Sequence, residues 1–182
     1  MYDHFKSKAE GVSAEVFRFP GRGAAMDFIM GVIKQEQVSD TPGHYAVVAE
    51  CPFFENVDKE VLNQIPGLFF DISRERAGNA SIGISQVDWA LADTGTLVQD
   101  ATSIDKRLVS TLPEIHIALI GSNNLLPNMA SLMEKLNPQQ MNYIAMMTGP
   151  SRTADIERVL TIGVHGPKRL IIVLVDDLGG CN

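Results

Sequence analysis

The chain has 182 residues, which is enough for one domain with a sizeable core. It carries 15 Lys and Arg against 22 Asp and Glu, for a formal net charge of −7, and no block of basic residues. These values argue against nucleic acid or anionic lipid as a partner, because the long-range field has the wrong sign. The longest apolar run, LIIVLV (170–175), is too short to span a bilayer, and residues 1–20 lack the apolar core of a signal peptide. We therefore expect a cytoplasmic protein.

The predicted elements alternate between helices and strands. Residues 25–33 carry apolar side chains at the spacing of one buried helical face. Helices are expected over 1–12, 25–33, 56–64, 86–93, 103–112, 126–136 and 152–164. Strands are expected over 14–19, 44–50, 68–72, 80–85, 95–100, 114–120, 142–147 and 169–175. Apolar strands alternating with helices favour a mostly parallel sheet covered on both faces, in one domain over 1–182. Within it, residues 1–20 form either part of the core or an appended helix and strand.

The segment TGPSRTADIE (148–157) is the first candidate site. It follows a predicted strand and begins a predicted helix, a junction where open α/β folds place ligands. Backbone N–H groups, two hydroxyls and the Arg152 guanidinium suit an anion or carboxylate, and Asp155 is a candidate catalytic residue. The alternative is a helix start in which the hydroxyls only cap and the arginine is solvated. The candidate ligand-binding residues are Gly149, Ser151, Arg152 and Thr153.

A second candidate is DTGT (93–96), where Thr94, Gly95 and Thr96 can cradle a ligand and Asp93 can act as a base. The alternative is a helix end with its usual glycine. Lys106 and Arg107, on the following helix, are within reach of an anion held between the two loops, or are simply solvated.

The histidines give weaker signals. His165, in HGP, is a candidate general acid or base, but we favour the capping of a helix end. His116 alternates with apolar neighbours and is interpreted as a packed strand residue. No zinc-ligand spacing, dinucleotide loop, P-loop or nucleophile elbow occurs, so no metal site is expected. The two cysteines, Cys51 and Cys181, cannot supply the four thiolates of an iron–sulfur cluster.

Together these motifs resemble the LUD-domain family, in its lactate-utilization branch. The resemblance rests on ADTGTLV (92–98), LVSTLPEIHIALI (108–120) and the segment 148–175, and is strongest over 80–175. It implies a three-layer α/β/α fold like that of the NagB, RpiA and CoA-transferase group. It also implies a role in oxidising L-lactate to pyruvate beside partner subunits that carry the iron–sulfur clusters, with no cofactor in this chain.

The resemblance assigns no mechanism, so alternative functions stay open. The first is a subunit of an L-lactate dehydrogenase complex that binds a small carboxylate near residues 148–157. The second is a stand-alone enzyme acting on a phosphorylated or CoA-linked small molecule, which rests on fold analogy. The third is a non-catalytic assembly module. Self-association into a homo-oligomer is compatible with each of them.

Overall fold

The structure is a computed structural model that describes residues 1–55, 57, 62, 64–137, 139, 141–154, 160–163 and 165–178. The described strands are β1 (Glu15–Phe19), β2 (Tyr45–Val48), β3 (Leu68–Phe69), β4 (Ala80–Gln86), β5 (Trp89–Leu91), β6 (Thr96–Asp100), β7 (Ile115–Gly121), β8 (Leu125–Leu126), β9 (Ile144–Met147), β10 (Arg152–Ala154), β11 (Leu160–Ile162) and β12 (Arg169–Val175). The described α-helices are α1 (Tyr2–Gly11), α2 (Arg22–Gln35), α3 (Arg74–Gly78), α4 (Ile104–Thr111) and α5 (Met129–Met133).

A six-stranded parallel sheet forms the centre of the fold. Its strand order is β1-β12-β7-β4-β2-β3, and each neighbouring pair is parallel. All seven residues of β7 and the last six of β12 are buried, as expected for strands covered on both faces. The prediction of an α/β fold with a mostly parallel sheet is confirmed.

Each face of the sheet has its own hydrophobic core. On one face, Ile117 and Ile171 pack with Ile29 and Val32, which lie on the buried stripe of α2 expected from the sequence. On the other face, Ile120 and its neighbours pack against α1 and against a second, smaller sheet. Burying side chains of this size contributes about 1.5–3 kcal/mol each, so α2 and α1 hold the sheet from opposite sides.

The second sheet has four strands in the order β8-β5-β6-β9. The helix predicted over 86–93 is wrong, because Trp89–Leu91 pairs antiparallel with Thr96–Val98 as a hairpin. The strand predicted over 142–147 is present as β9, but it pairs antiparallel with β6 and is only half-buried. It therefore does not belong to the parallel sheet.

The helix predicted over 152–164 is also wrong. Residues 152–154 and 160–162 are strands that pair antiparallel, with Thr153 opposite Thr161. The N–H of Gly163 donates to the carbonyl of Ser151 at 2.9 Å, which extends the ladder beyond the strand ends. Apolar positions at helical spacing suggested a helix, whereas β-branched threonines fit a strand pair better. Residues 155–159 and 164 lie outside the described residues.

Two further predicted helices differ from expectation or lie outside the structure. The helix expected over 126–136 is shorter, since it starts after Asn128, whose side chain accepts from the N–H of Ser131, and ends at Met133. The helix expected over 56–64 falls mostly on residues that are not described. In the part of the chain that the structure covers, no helix combines the length and apolarity needed to cross a membrane.

Candidate functional site

The two predicted ligand loops meet in the structure. Strands β6 and β9 are paired, which brings the start of one loop beside the end of the other. The hydroxyls of Thr96 and Thr148 lie 2.8 Å apart, and Thr94 donates to Thr96 at 2.8 Å. The two loops are thus joined by hydrogen bonds between their threonine side chains.

Both loop glycines are needed for close packing against the end of α1. Gly95 has a φ of 69°, and a Cβ there would lie 2.4 Å from the backbone nitrogen of Ala9. Gly149 has a φ of 75°, and a Cβ there would lie 2.3 Å from the carbonyl oxygen of Val12. Such left-handed, crowded positions admit glycine almost alone. The glycines therefore have a structural reason that is independent of any ligand.

A cleft of about 360 Å³ lies beside the 148–152 loop. We call it the amino-end cleft, because His116 and Leu170 in its floor are the second residues of β7 and β12. We expected the site at the carboxyl ends of parallel strands, and that expectation is wrong for this cleft. The reason is that β9, which leads into the loop, runs in the antiparallel sheet. The cleft is lined by Ser110, Thr111, His116, Met146 to Arg152, His165 to Pro167 and Leu170.

The lining of the amino-end cleft combines polar and apolar side chains and contains no acidic side chain among the described residues. It provides one guanidinium, two imidazoles and several hydroxyls. In a chain with a net charge of −7, a concave surface with a cation and no carboxylate is electrostatically suited to an anion.

Arg152 is the cation of this cleft, and part of its guanidinium is already used. Nη2 donates to the carbonyl oxygen of Val12 at 2.6 Å and to the hydroxyl of Ser13 at 2.7 Å. An arginine has five N–H donors, so those on Nε and Nη1 remain without a partner among the described residues. Val12 and Ser13 fix the orientation of the fork, and the side chain is exposed.

Ser151 and His165 also line the cleft, and neither has the helix-capping role that the sequence left open. The N–H of Ser151 donates to the carbonyl of Pro167 at 2.9 Å, which joins the 148–152 loop to the HGP segment. Ser151 caps no helix, because β10 follows it. His165 is exposed and does not end a helix, because the preceding Leu160–Ile162 is a strand.

Several predicted site residues do not line the amino-end cleft. Asp93 is exposed in the hairpin turn, where its N–H donates to the carbonyl of Pro127, so the structure does not bring it to the other candidates. Lys106 and Arg107 lie outside the lining, and the Arg107 guanidinium sits 5.1 Å from the ring centroid of Tyr143. Thr94, Gly95 and Thr96 lie outside the lining, and the two threonines connect to it through the hydroxyl of Thr148. Thr153 contributes backbone to β10, and Asp155 lies outside the described residues.

A buried polar group that the sequence analysis did not assign to the site reaches the cleft floor. His116 is 1% exposed, and its Nε2 lies 2.9 Å from the hydroxyl of the fully buried Ser85. Gln99 donates from Nε2 to the same hydroxyl at 2.9 Å. Burial lowers the pKa of His116 to about 4, so the imidazole is neutral at physiological pH. The signal was present in the sequence as polar residues inside buried strands.

The described residues contain no group of three or more His, Cys, Asp or Glu side chains placed to hold a metal ion. Cys51 is buried, and burial raises the pKa of its thiol to about 11, which disfavours the thiolate form that metals bind. The donor set of this chain therefore does not fit a four-cysteine cluster.

The described residues form an α/β domain with three sheets and a cleft beside the 148–152 loop, and comparison with known proteins places the chain in a family. The family model described as LUD domain matches residues 2–175, so the chain belongs to the LUD-domain family. A solved structure of a DUF162 family protein from Deinococcus radiodurans superposes with a TM-score of 0.61, covering 96% of this chain and 95% of that chain. At 15% identity, this likeness supports the fold alone.

Similar proteins named lactate utilization protein C occur in several bacteria. The Exiguobacterium sp. protein is 42% identical over 117 residues, covering 59% of this chain and 50% of that protein. The Halalkalibacterium halodurans protein is 38% identical over 112 residues, covering 57% and 47%. The Bacillus subtilis protein is 31% identical over 164 residues, covering 79% and 67%. The chain thus spans about half the length of the first two relatives.

Proposed function

We propose that this chain serves L-lactate utilization by binding a small carboxylate in the amino-end cleft. The proposal rests on the lining itself, in which Arg152, held by Val12 and Ser13, borders a space that holds no acidic side chain among the described residues. The names of the relatives support a role in lactate utilization, and the residues that line the cleft support a ligand with a carboxylate group.

The geometry suits binding and orientation of the carboxylate. The N–H groups on Nε and Nη1 of Arg152 have no partner among the described residues, and Thr148 and Ser151 line the same cleft. Charge-assisted hydrogen bonds to a carboxylate contribute about 1.5–3 kcal/mol each. Because Arg152 is held by Val12 and Ser13, little side-chain entropy remains to be lost when the ligand binds.

The electrons released when L-lactate becomes pyruvate need an acceptor, and this chain's cysteines do not fit a four-thiolate cluster. We therefore assign electron transfer to iron–sulfur partner subunits, with this chain contributing the carboxylate site. Affinity purification of the native protein followed by mass spectrometry tests the partnership. Recovery of a cysteine-rich partner would support it, and recovery of this chain alone would contradict it.

A second candidate function is favoured by the size of the cleft. A volume of about 360 Å³ lies in the range of sites for larger small molecules and exceeds what a three-carbon acid fills. A phosphorylated or CoA-linked molecule is the competing ligand class, and its phosphate would meet the same guanidinium.

A thermal-shift panel separates the two candidates. L-lactate, pyruvate, sugar phosphates and CoA esters are compared on the full chain. A ligand at about 100 times its Kd stabilises by roughly 2.7 kcal/mol, which for a domain of this size shifts Tm by about 5–11 °C. A shift with L-lactate or pyruvate alone supports the proposal. A Tm shift with the sugar phosphates or CoA esters alone would contradict the carboxylate proposal and support the second candidate function.

A further inference from the structure

A chain of hydrogen bonds runs from a backbone carbonyl in the core to the floor of the amino-end cleft. The carbonyl oxygen of Gln86 accepts from Nε2 of Gln99 at 3.2 Å, and the same nitrogen lies 2.9 Å from the hydroxyl oxygen of Ser85. Ser85 in turn lies 2.9 Å from Nε2 of His116. Ser85, Gln86 and Gln99 are fully buried, and only His116 lines the cleft.

The direction of each bond follows from the chemistry of its partners. A carbonyl only accepts, so the carboxamide atom of Gln99 that faces the Gln86 oxygen must be the NH2 group. Ser85 therefore accepts from Gln99 and has its own hydroxyl hydrogen left to donate. Among the described residues, the acceptor placed to receive that hydrogen is Nε2 of His116. A neutral imidazole that accepts at Nε2 carries its proton on Nδ1.

Arg152 and His116 sit in different environments within the cleft. Arg152 is exposed at the rim, whereas His116 is 1% exposed in the floor. Burying a carboxylate is costly, but burying a neutral oxygen that receives a hydrogen bond is not. The charged end of a ligand thus belongs at the rim, and a neutral oxygen belongs at the floor.

We propose that the Nδ1–H of His116 is a fixed neutral donor that binds the oxygen on carbon 2 of a 2-hydroxy or 2-oxo carboxylate. This inference rests on the proposed function, and it adds a reason for the site to distinguish such acids from plain carboxylates. Ser85 and Gln99 are positioning residues, since they set the proton on Nδ1 without lining the cleft. The buried side-chain oxygen of Gln99 has no partner in the described part of the chain, where the amide is held by its nitrogen.

Two measurements on the wild-type chain test the inference. Nitrogen-15 spectra of histidine-labelled protein should show His116 with an unprotonated Nε2 and a protonated Nδ1 at neutral pH, and pyruvate should move the Nδ1 resonance. In calorimetric titrations, pyruvate should bind about 10- to 100-fold more tightly than propionate, because propionate leaves the buried donor unpaired. Ser85→Ala should abolish this preference, and Ser85→Thr, which keeps a hydroxyl, should restore it.

The outcomes separate this inference from the proposed function. If pyruvate and propionate bind equally well in an Arg152-dependent manner, the role of His116 is wrong and the carboxylate site stands. A protonated Nε2 on His116 would overturn the inference in the same way. If neither acid binds, both the proposed function and the inference fail.

Discussion

The buried histidine of the cleft predicts a specific acid sensitivity of folding. His116 has a pKa of about 4 in the folded chain, against an ordinary value of 6.5. As the pH falls below about 6.5, the unfolded chain gains a proton on this side chain that the folded chain cannot accept. Stability is therefore lost as the pH falls from about 6.5 to about 4. Above pH 7 the imidazole is neutral in both states and contributes no pH dependence.

The size of this effect follows from the two pKa values. The gap between them, at about 1.36 kcal/mol per pH unit, amounts to about 3 kcal/mol at full extent. At a pH of about 4.5, most of it is already expressed, so the expected loss is about 2 to 3 kcal/mol.

Urea unfolding between pH about 7.5 and about 4.5 measures this loss against variants. His116→Asn removes the titrating ring. Over this pH range, its free energy of unfolding should fall by about 2 to 3 kcal/mol less than that of the wild type, whatever the effect of the substitution at neutral pH. His44→Asn removes an exposed histidine and is the matched control, with a curve parallel to the wild type. Parallel curves for His116→Asn and the wild type would refute the assigned environment of His116.

Further expectations concern the glycines and cysteines of the chain. Gly95→Ala should destabilise the fold by more than about 2 kcal/mol in urea unfolding, because its Cβ meets the Ala9 backbone at a positive φ. Gly31→Ala, in open space within α2, should instead stabilise by about 0.5–1 kcal/mol, and equal effects of the two would contradict this account of the loop. In a Cys181→Ser background, alkylation of native Cys51 should be at least about 100-fold slower than that of a free thiol, and rapid reaction would show that it is accessible.

The parallel sheet could be predicted from the sequence because its strands are buried on both faces. In β7 and β12, nearly continuous apolar runs report that burial directly. The helical face of Ala25, Ile29 and Val32 was equally legible, since each buried residue recurs at helical spacing. In these elements the local pattern and the tertiary environment agree.

The second sheet could not be predicted because its pairings are long-range. The local sequence around Trp89–Leu91 favours a helix, and only its pairing with Thr96–Val98 makes it a strand. The same holds for 152–154 and 160–162, where apolar spacing and strand pairing conflict. The 148–152 loop was expected at the carboxyl end of the parallel sheet because β9 was predicted to be one of the parallel strands, whereas it pairs antiparallel with β6.

Part of the candidate site was visible in the residue types, and part depended on the fold. The sequence indicates Arg152 as a candidate because a guanidinium suits carboxylates, and Arg152 lines the cleft. Its bonds to Val12 and Ser13 join residues about 140 positions apart, which no motif discloses. His116 was interpreted as a packed strand residue, and its burial agrees with that. Its place in the cleft floor required the structure.

The most direct test of the central claim is calorimetric titration of pyruvate into the wild type and Arg152→Gln. Loss of the charge-assisted contact should weaken binding by about 10- to 100-fold, whereas Arg152→Lys should retain part of it. Arg74→Gln makes the same charge change at an exposed residue outside the cleft, and this control should bind pyruvate within a few-fold of the wild type. Equal affinities of the wild type and Arg152→Gln for pyruvate would contradict carboxylate binding through Arg152.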